Sequence, residues 1–271
     1  MRRIFPLGML AVCCSLRCAL AAPLTDLEPA PPVPTETAGE STESADLFLE
    51  NNPLPKSEAE TTKQTLQDAA RSLARDDIEG CLALLKKAAS LSPQLPAPQV
   101  MLAEFYLRAG NLNEARKSLQ SIDQTDNHPQ FHLTSAKVAF AEGRFEEANN
   151  HFAALASVAP PLGWTPDQVQ EIREASYDGL ASVAEARQQW QVAATHLERW
   201  LRLEPDDAGL RQRLGRVLLL AGNEAQARAH FEALHRQDET FNRPDVSVAA
   251  IYLQNGHTEK ANSILSVALA E

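Results

Sequence analysis

The chain has 271 residues, 23% charged and 44% hydrophobic, enough for one large domain or two small ones of ordinary soluble composition. Its formal net charge is −11, and leaving out the first 22 residues gives 22 bases against 36 acids, or −14. A surface of that sign repels phosphate backbones, so nucleic acid is set aside as a partner.

Residues 1–22 read as a secretory signal. Arg2 and Arg3 supply a positive start, Ile4 to Leu16 is a mostly apolar run, and Ala19-Leu20-Ala21 offers small residues for cleavage. The thirteen residues of that run fall short of the roughly 20 that span a bilayer. Arg17 interrupts the pattern, which leaves open a signal that stays uncleaved and tethers the chain; membrane contact is expected only in that case. Val12 before Cys13 and Arg17 before Cys18 do not suit lipoprotein processing. The expectation is an exported protein, periplasmic or secreted. Removal of the signal takes Cys13, Cys14 and Cys18 with it, so Cys81 alone remains and no internal disulfide can form.

Residues 23–61 form a Pro/Glu/Ser/Thr-rich linker. Pro23 to Glu60 holds seven prolines, nine acids and one base, a composition that stays extended and disordered. Ala45 to Glu50 is an apolar island within it, either a chance cluster or a motif that docks on a partner.

From residue 62 the chain repeats itself. A small residue recurs as Cys81, Ala115, Ala148, Ala193, Ala227 and Ala261, at intervals of 34, 33, 45, 34 and 34. Four residues after each comes Leu85, Leu119, Phe152, Leu197, Phe231 or Leu265, and three further on Ala88, Ile122, Leu155, Trp200, Leu234 or Ala268. Steps of four and three put each trio on one helical stripe. A preceding helix carries its own small residue: Ala69, Ala103, Ala136, Ala181, Gly215 and Ala249. Gly110, Gly143, Gly222 and Gly256 mark the turn inside four of the pairs, where a left-handed cap is needed. Pro93, Pro160 and Pro205 follow the second helix of three pairs.

At these residues the sequence resembles the tetratricopeptide repeat family. Leu214-Gly215 with Leu218, Ala227 and Phe231 fits its pattern, as do Leu180-Ala181, Ala184, Ala193, Leu197 and Pro205, and Leu102-Ala103, Tyr106, Ala115 and Leu119. Six units are counted, 62–95, 96–128, 129–162, 174–207, 208–241 and 242–271, with an insertion at 163–173. The resemblance implies an all-α, right-handed superhelical solenoid of about six helix pairs that works by holding another protein or peptide. The first unit departs from the pattern, with Asp68 and Ser72 at the expected Leu and Tyr places and no turn glycine, and is expected to be a polar cap. The third unit lacks both the Leu and the Tyr, so looser contacts are expected there. Cys81 stands in the column of small joint residues and is expected to be a buried structural thiol.

The insertion has its own reading. Thr165-Pro166-Asp167-Gln168 has the form of a helix start with a capping box, and no breaker follows before Gly179. The pattern predicts a first helix near 22 residues, with Trp164 at its base, either reinforcing a joint or projecting as a lip that meets a partner.

Chemistry is not signalled. There is no Gly-rich phosphate loop, Gly-x-Ser-x-Gly elbow or His-Glu-x-x-His, so no catalytic residue, cofactor or metal ligand is assigned. His128 and His132 are four apart, but Pro129 keeps them off a shared helical face. In the resembled family, binding is expected on the concave surface of the first helices, where Lys137, Asp178, Ser182, Arg213 and Arg216 are the candidate groove residues. Arg213 and Arg216 would suit a carboxylate or an acidic peptide. The carboxylate clamp of chaperone-binding members is not carried over, because its places hold Leu66, Ala70, Met101, Gln130 and Thr134. In the last helix an apolar arc with Ile264, Val267 and Leu269 is a candidate interface to a second copy or another protein. The function expected is an exported scaffold; the alternative is an accessory subunit of an envelope machine for secretion, outer-membrane assembly or cytochrome maturation.

Overall fold

A computed structural model describes residues 56–122 and 128–270; the signal segment, the Ala45–Glu50 island and most of the linker lie outside the described residues. The described residues belong to one compact unit, Gly39–Glu271. They contain twelve α-helices and no strand. In chain order these are α1 Lys56–Ala74, α2 Ile78–Leu91, α3 Pro98–Arg108, α4 Leu112–Gln120, α5 Pro129–Ala141, α6 Phe145–Leu155, α7 Pro166–Ala186, α8 Trp190–Leu201, α9 Ala208–Leu220, α10 Glu224–Gln237, α11 Pro244–Gln254 and α12 Thr258–Ala270. The linker was expected to run to residue 61, but α1 begins at Lys56. Thr62 explains part of that early start: it is buried and its hydroxyl bonds that of Ser92 at 3.1 Å, so the segment belongs to the first pair.

Consecutive helices pair, and each pair packs on the pair before and after it. The joints are the small residues. Cys81, Ala115, Ala148, Ala193, Ala227 and Ala261 on the second helices have no exposed surface, and Ala69, Ala103, Ala136 and Ala181 on the first helices have none either. Small side chains let helix axes approach to about 8 Å, and stacking then buries the apolar stripes that one pair would leave wet. Leu85, Phe152, Leu197, Phe231 and Leu234 fill the space between joints. At Cys81, burial first and the Asp77 carboxylate second push the thiol up to about 11, so it stays protonated and packs as a small apolar group.

Helix starts follow local chemistry. Asp77 and Asp207 cap α2 and α9 by accepting from Gly80 N and Leu210 N, both at 2.8 Å. Proline occupies the first position of α3, α5, α7 and α11, where its missing N–H costs nothing. The turns inside the pairs use positive φ throughout: 74° at Gly110 and Gly143, 85° at Gly222, 78° at Gly256. In the two pairs without a turn glycine, Asp76 (62°) and Gln188 (57°) take the same left-handed conformation.

The insertion is absorbed in α7. Its 21 residues exceed the 13 of α5 and of α9 by about two turns. Thr165 and Gln168 form the reciprocal capping box, with Gln168 Oε1 accepting from Thr165 N at 2.6 Å. The extra turns do not project as a lip. Gln168 is buried, Ser176 donates to the Phe152 carbonyl at 2.7 Å, and Gln170 donates to Glu204, just past the end of the paired helix α8, at 2.8 Å. Trp164, at the base, meets His128 edge-on with centroids 5.9 Å apart. Reinforcement of the joint between α6 and α7 is therefore what the insertion does. Gly179 lies at its tightest point, where an added Cβ would fall 2.2 Å from the Phe152 ring.

Two substitutions test these joints. Gly179→Ala should cost about 1–3 kcal/mol by overpacking against Phe152. Gln188→Gly, in contrast, should stabilise by about 1 kcal/mol by relieving a left-handed non-glycine residue. Urea midpoints that move in the same direction for both would contradict this geometry.

Candidate functional site

The first helices α3, α5, α7 and α9 place the candidate groove residues in two separate polar seams. In the first, Glu104 of α3 is only 2% exposed and accepts from Thr134 Oγ1 of α5 at 3.1 Å. Arg108 at 3.6 Å and Lys137 at 3.8 Å complete its surroundings. An acid so buried is tolerable because the Thr134 hydroxyl bonds it and the Arg108 and Lys137 cations lie close enough to offset the water it loses. Lys137, chosen from sequence, is therefore tied to a carboxylate that sequence reasoning did not select.

The second seam joins α7 to α9. Arg213 donates to Asp178 Oδ1 at 2.5 Å, Glu185 Oε1 at 2.6 Å and Ser182 Oγ at 2.9 Å. Arg216 donates to Glu185 Oε2 at 2.7 Å. Burial by itself would lower the Arg213 pKa, but Asp178 and Glu185 outweigh it and hold the guanidinium above its ordinary value. Four of the sequence candidates, Asp178, Ser182, Arg213 and Arg216, thus meet at one place, while Lys137 sits in the other seam. The carboxylates that Arg213 grips belong to this chain. Its side chain is 10% exposed, against 42% for Arg216 and 31% for Lys137. Of the five candidates, Arg216 and Lys137 are the cations that still present surface.

Glu104 and Glu185 are the residues that sequence reasoning missed. A signal for the first existed: Glu104, Lys137, Ser182 and Arg216 each follow the small joint residue of their helix, so Glu104 and Lys137 share a register with opposite charges. At the interface candidate of α12, Ile264 packs in part against the core, while Val267 and Leu269 are 60% and 88% exposed.

Along the turns, further pairs link successive units: Arg116 to Glu142 at 3.7 Å, Arg187 to Glu146 at 2.7 Å, and Asn223 to Gln191 at 3.2 Å. Three histidines repeat three residues after the joint alanine: His151, His196 and His230. Desolvation lowers the pKa of all three below the ordinary 6.5, with Arg144, Arg199 and Arg211 respectively adding to it. Among the described residues no three His, Cys, Asp or Glu side chains gather as a metal site, and no helix is long and apolar enough to cross a membrane.

Residues 72–138, from within α1 to within α5, match the family described as tetratricopeptide repeat. That stretch is of tetratricopeptide repeat type, and α7 to α12 repeat its joints and turns. Solved structures resemble the chain at low similarity. MamA protein is 16% identical, with 66% of this chain and 93% of that one covered at a TM-score of 0.49. The Pseudomonas aeruginosa pilF structure is 15% identical, covering 83% and 90% at 0.49. PilW, described as a widely conserved type IV pilus biogenesis factor, is 18% identical, covering 78% and 93% at 0.47. Similarity at this level says nothing about ligand or partner. No curated protein matches the sequence.

Removing the Arg213 head should take the guanidinium from Asp178 and leave Glu185 with Arg216 as its cation, so Arg213→Ala is expected to cost about 3 kcal/mol in urea unfolding. Arg216→Ala removes the exposed end of the seam and leaves Glu185 bonded to Arg213, so it should stay within about 1 kcal/mol. The histidines give a pH dependence. Their folded pKa values lie below 6.5, so the unfolded chain takes up protons first, and stability is full above 6.5 and falls as pH drops toward the folded values. Glu174 acts in the opposite sense, since burial, with Glu204 beside it, raises its pKa against the lowering effect of the Gln170 bond. The comparison that isolates the histidines is the urea midpoint at pH 7.5 and 5.5 for wild type and for His196→Gln/His230→Gln, whose drop should be smaller.

Proposed function

We propose that the chain is an exported scaffold that binds another protein or a peptide across the face of its first helices, with no catalysis of its own. The observation that carries the reading is the pair of anchored cations. Lys137 and Arg216 each lean on a carboxylate that is largely buried, Glu104 and Glu185, yet keep 31% and 42% of their side chains exposed. Such groups are held in place before a partner arrives, which reduces the ordering cost of binding. They favour an acidic segment or a chain-terminal carboxylate, and Arg216 can offer paired donors to it.

Arg213 has a different part. It sets the position of Glu185 and through it Arg216, rather than meeting the partner itself. Export rests on the signal pattern of residues 1–22, and the acidic linker supplies reach between any tether and the helical stack.

The full chain, expressed in its own envelope and crosslinked, should recover a defined set of proteins. Lys137→Ala/Arg216→Ala should lose most of that set, whereas Arg236→Ala, at an exposed pair on α10, should keep it. Equal recovery by the double variant and wild type would remove the first-helix face as the binding surface. Recovery of the chain from the cytoplasm with its first 22 residues intact would remove export.

A further inference from the structure

The third pair brings together two histidines that are 19 residues apart. His132 of α5 and His151 of α6 face each other with their Nδ1 atoms 3.2 Å apart and ring centroids 5.5 Å apart. Both rings are half-buried. Phe131 stands edge-on to each, at 5.3 and 6.0 Å. Two neutral imidazoles in this contact share one proton, one ring donating and the other accepting.

The same spacing is the bite of a chelate. A tetrahedral centre with Zn–N bonds of about 2.0–2.1 Å sets two ligand nitrogens about 3.3–3.4 Å apart. We propose that His132 and His151 form a two-ligand site for a divalent metal of the zinc, nickel or copper kind, bound through the two Nδ1 atoms. Imidazole nitrogen is a matched donor for these ions. On binding, the ring that donated moves its proton to Nε2, both Nδ1 lone pairs turn to the metal, and no net proton leaves the neutral pair. No group of three metal-ligating side chains exists among the described residues, so solvent completes the shell and the ion is exchangeable rather than structural.

The surroundings permit a cation. On α6, Glu147 lies one turn before His151, and the Arg144 guanidinium is engaged by both Glu142 and Glu147. The other histidines lack this geometry. His128 is occupied at both nitrogens, by Gln130 N and the Gln94 carbonyl, and His235 Nδ1 bonds the Phe241 carbonyl at 2.8 Å. His196 and His230 share the register of His151, but neither faces a second imidazole.

The test is calorimetric titration of the untagged full chain with Zn²⁺ and with Ni²⁺ at pH 7.5. Wild type should bind one equivalent; His132→Gln and His151→Gln should each weaken it by about tenfold or more, and His196→Gln/His230→Gln should leave it unchanged. Ring-nitrogen resonances of the wild-type chain give a reading that does not depend on the variants folding: zinc should shift two of the seven histidines, and these should be His132 and His151. Absence of saturable binding, equal affinity in the glutamine variants, or shifts at other rings would each overturn the site.

Discussion

Two helices can lie close only where the side chains at their crossing are small, and this chain meets that condition at every pair. Cys81 and five alanines on the second helices, facing four alanines, Gly215 and Ala249 on the first, remove the bulk that would hold the helices apart. Once the backbones are close, Phe152 reaches Gly179 of the next pair and Phe231 lies against Gly215 of its own, and burial of these stripes, with Leu85 and Leu197, supplies the stabilisation that no single pair could. Turns, caps and seams depend on this spacing. Gly179 shows how tight it becomes, since even one added carbon there would meet Phe152.

Close stacking of the first helices also explains why their charges are not simply solvated. Glu104, Glu185 and Arg213 lie where two first helices approach, so each would be costly alone and is matched by donors or acceptors from the neighbouring unit. Such matching fixes the lateral register of one pair on the next, because a slip of a turn would leave buried charges unpaired. The exposed ends of the seams, at Lys137 and Arg216, are where a structural network becomes a surface that a partner can read.

Much of the architecture was legible in the sequence because its signals are local. The alanine column, the four turn glycines and the Thr165–Gln168 capping box each express a steric or hydrogen-bonding need that few residues meet. What was not legible lacked such a restriction or spanned units. Gln188 adopts positive φ although nothing in its side chain announces it, and Asp76, whose short polar side chain tolerates that region, shares the property with too many other aspartates to mark the turn. Lys56 to Thr61 read as linker by composition, yet the helix of the first pair extends through them. Arg213 and Arg216 read as an open basic spot because Glu185 and Asp178, one repeat earlier, could not be placed against them. The His132–His151 contact crosses a helix pair, and only the shared register of His151, His196 and His230 hinted that the position has a role.

The stack rests on its joints, and α10 offers a direct comparison within one helix. Ala227 is fully buried at a joint, while Ala229, two residues on, is exposed. Urea unfolding of Ala227→Leu should show a loss of about 1–3 kcal/mol from overpacking. Ala229→Leu should change stability by no more than about 0.5 kcal/mol. Equal effects of the two substitutions would mean that small residues do not set the spacing of the pairs.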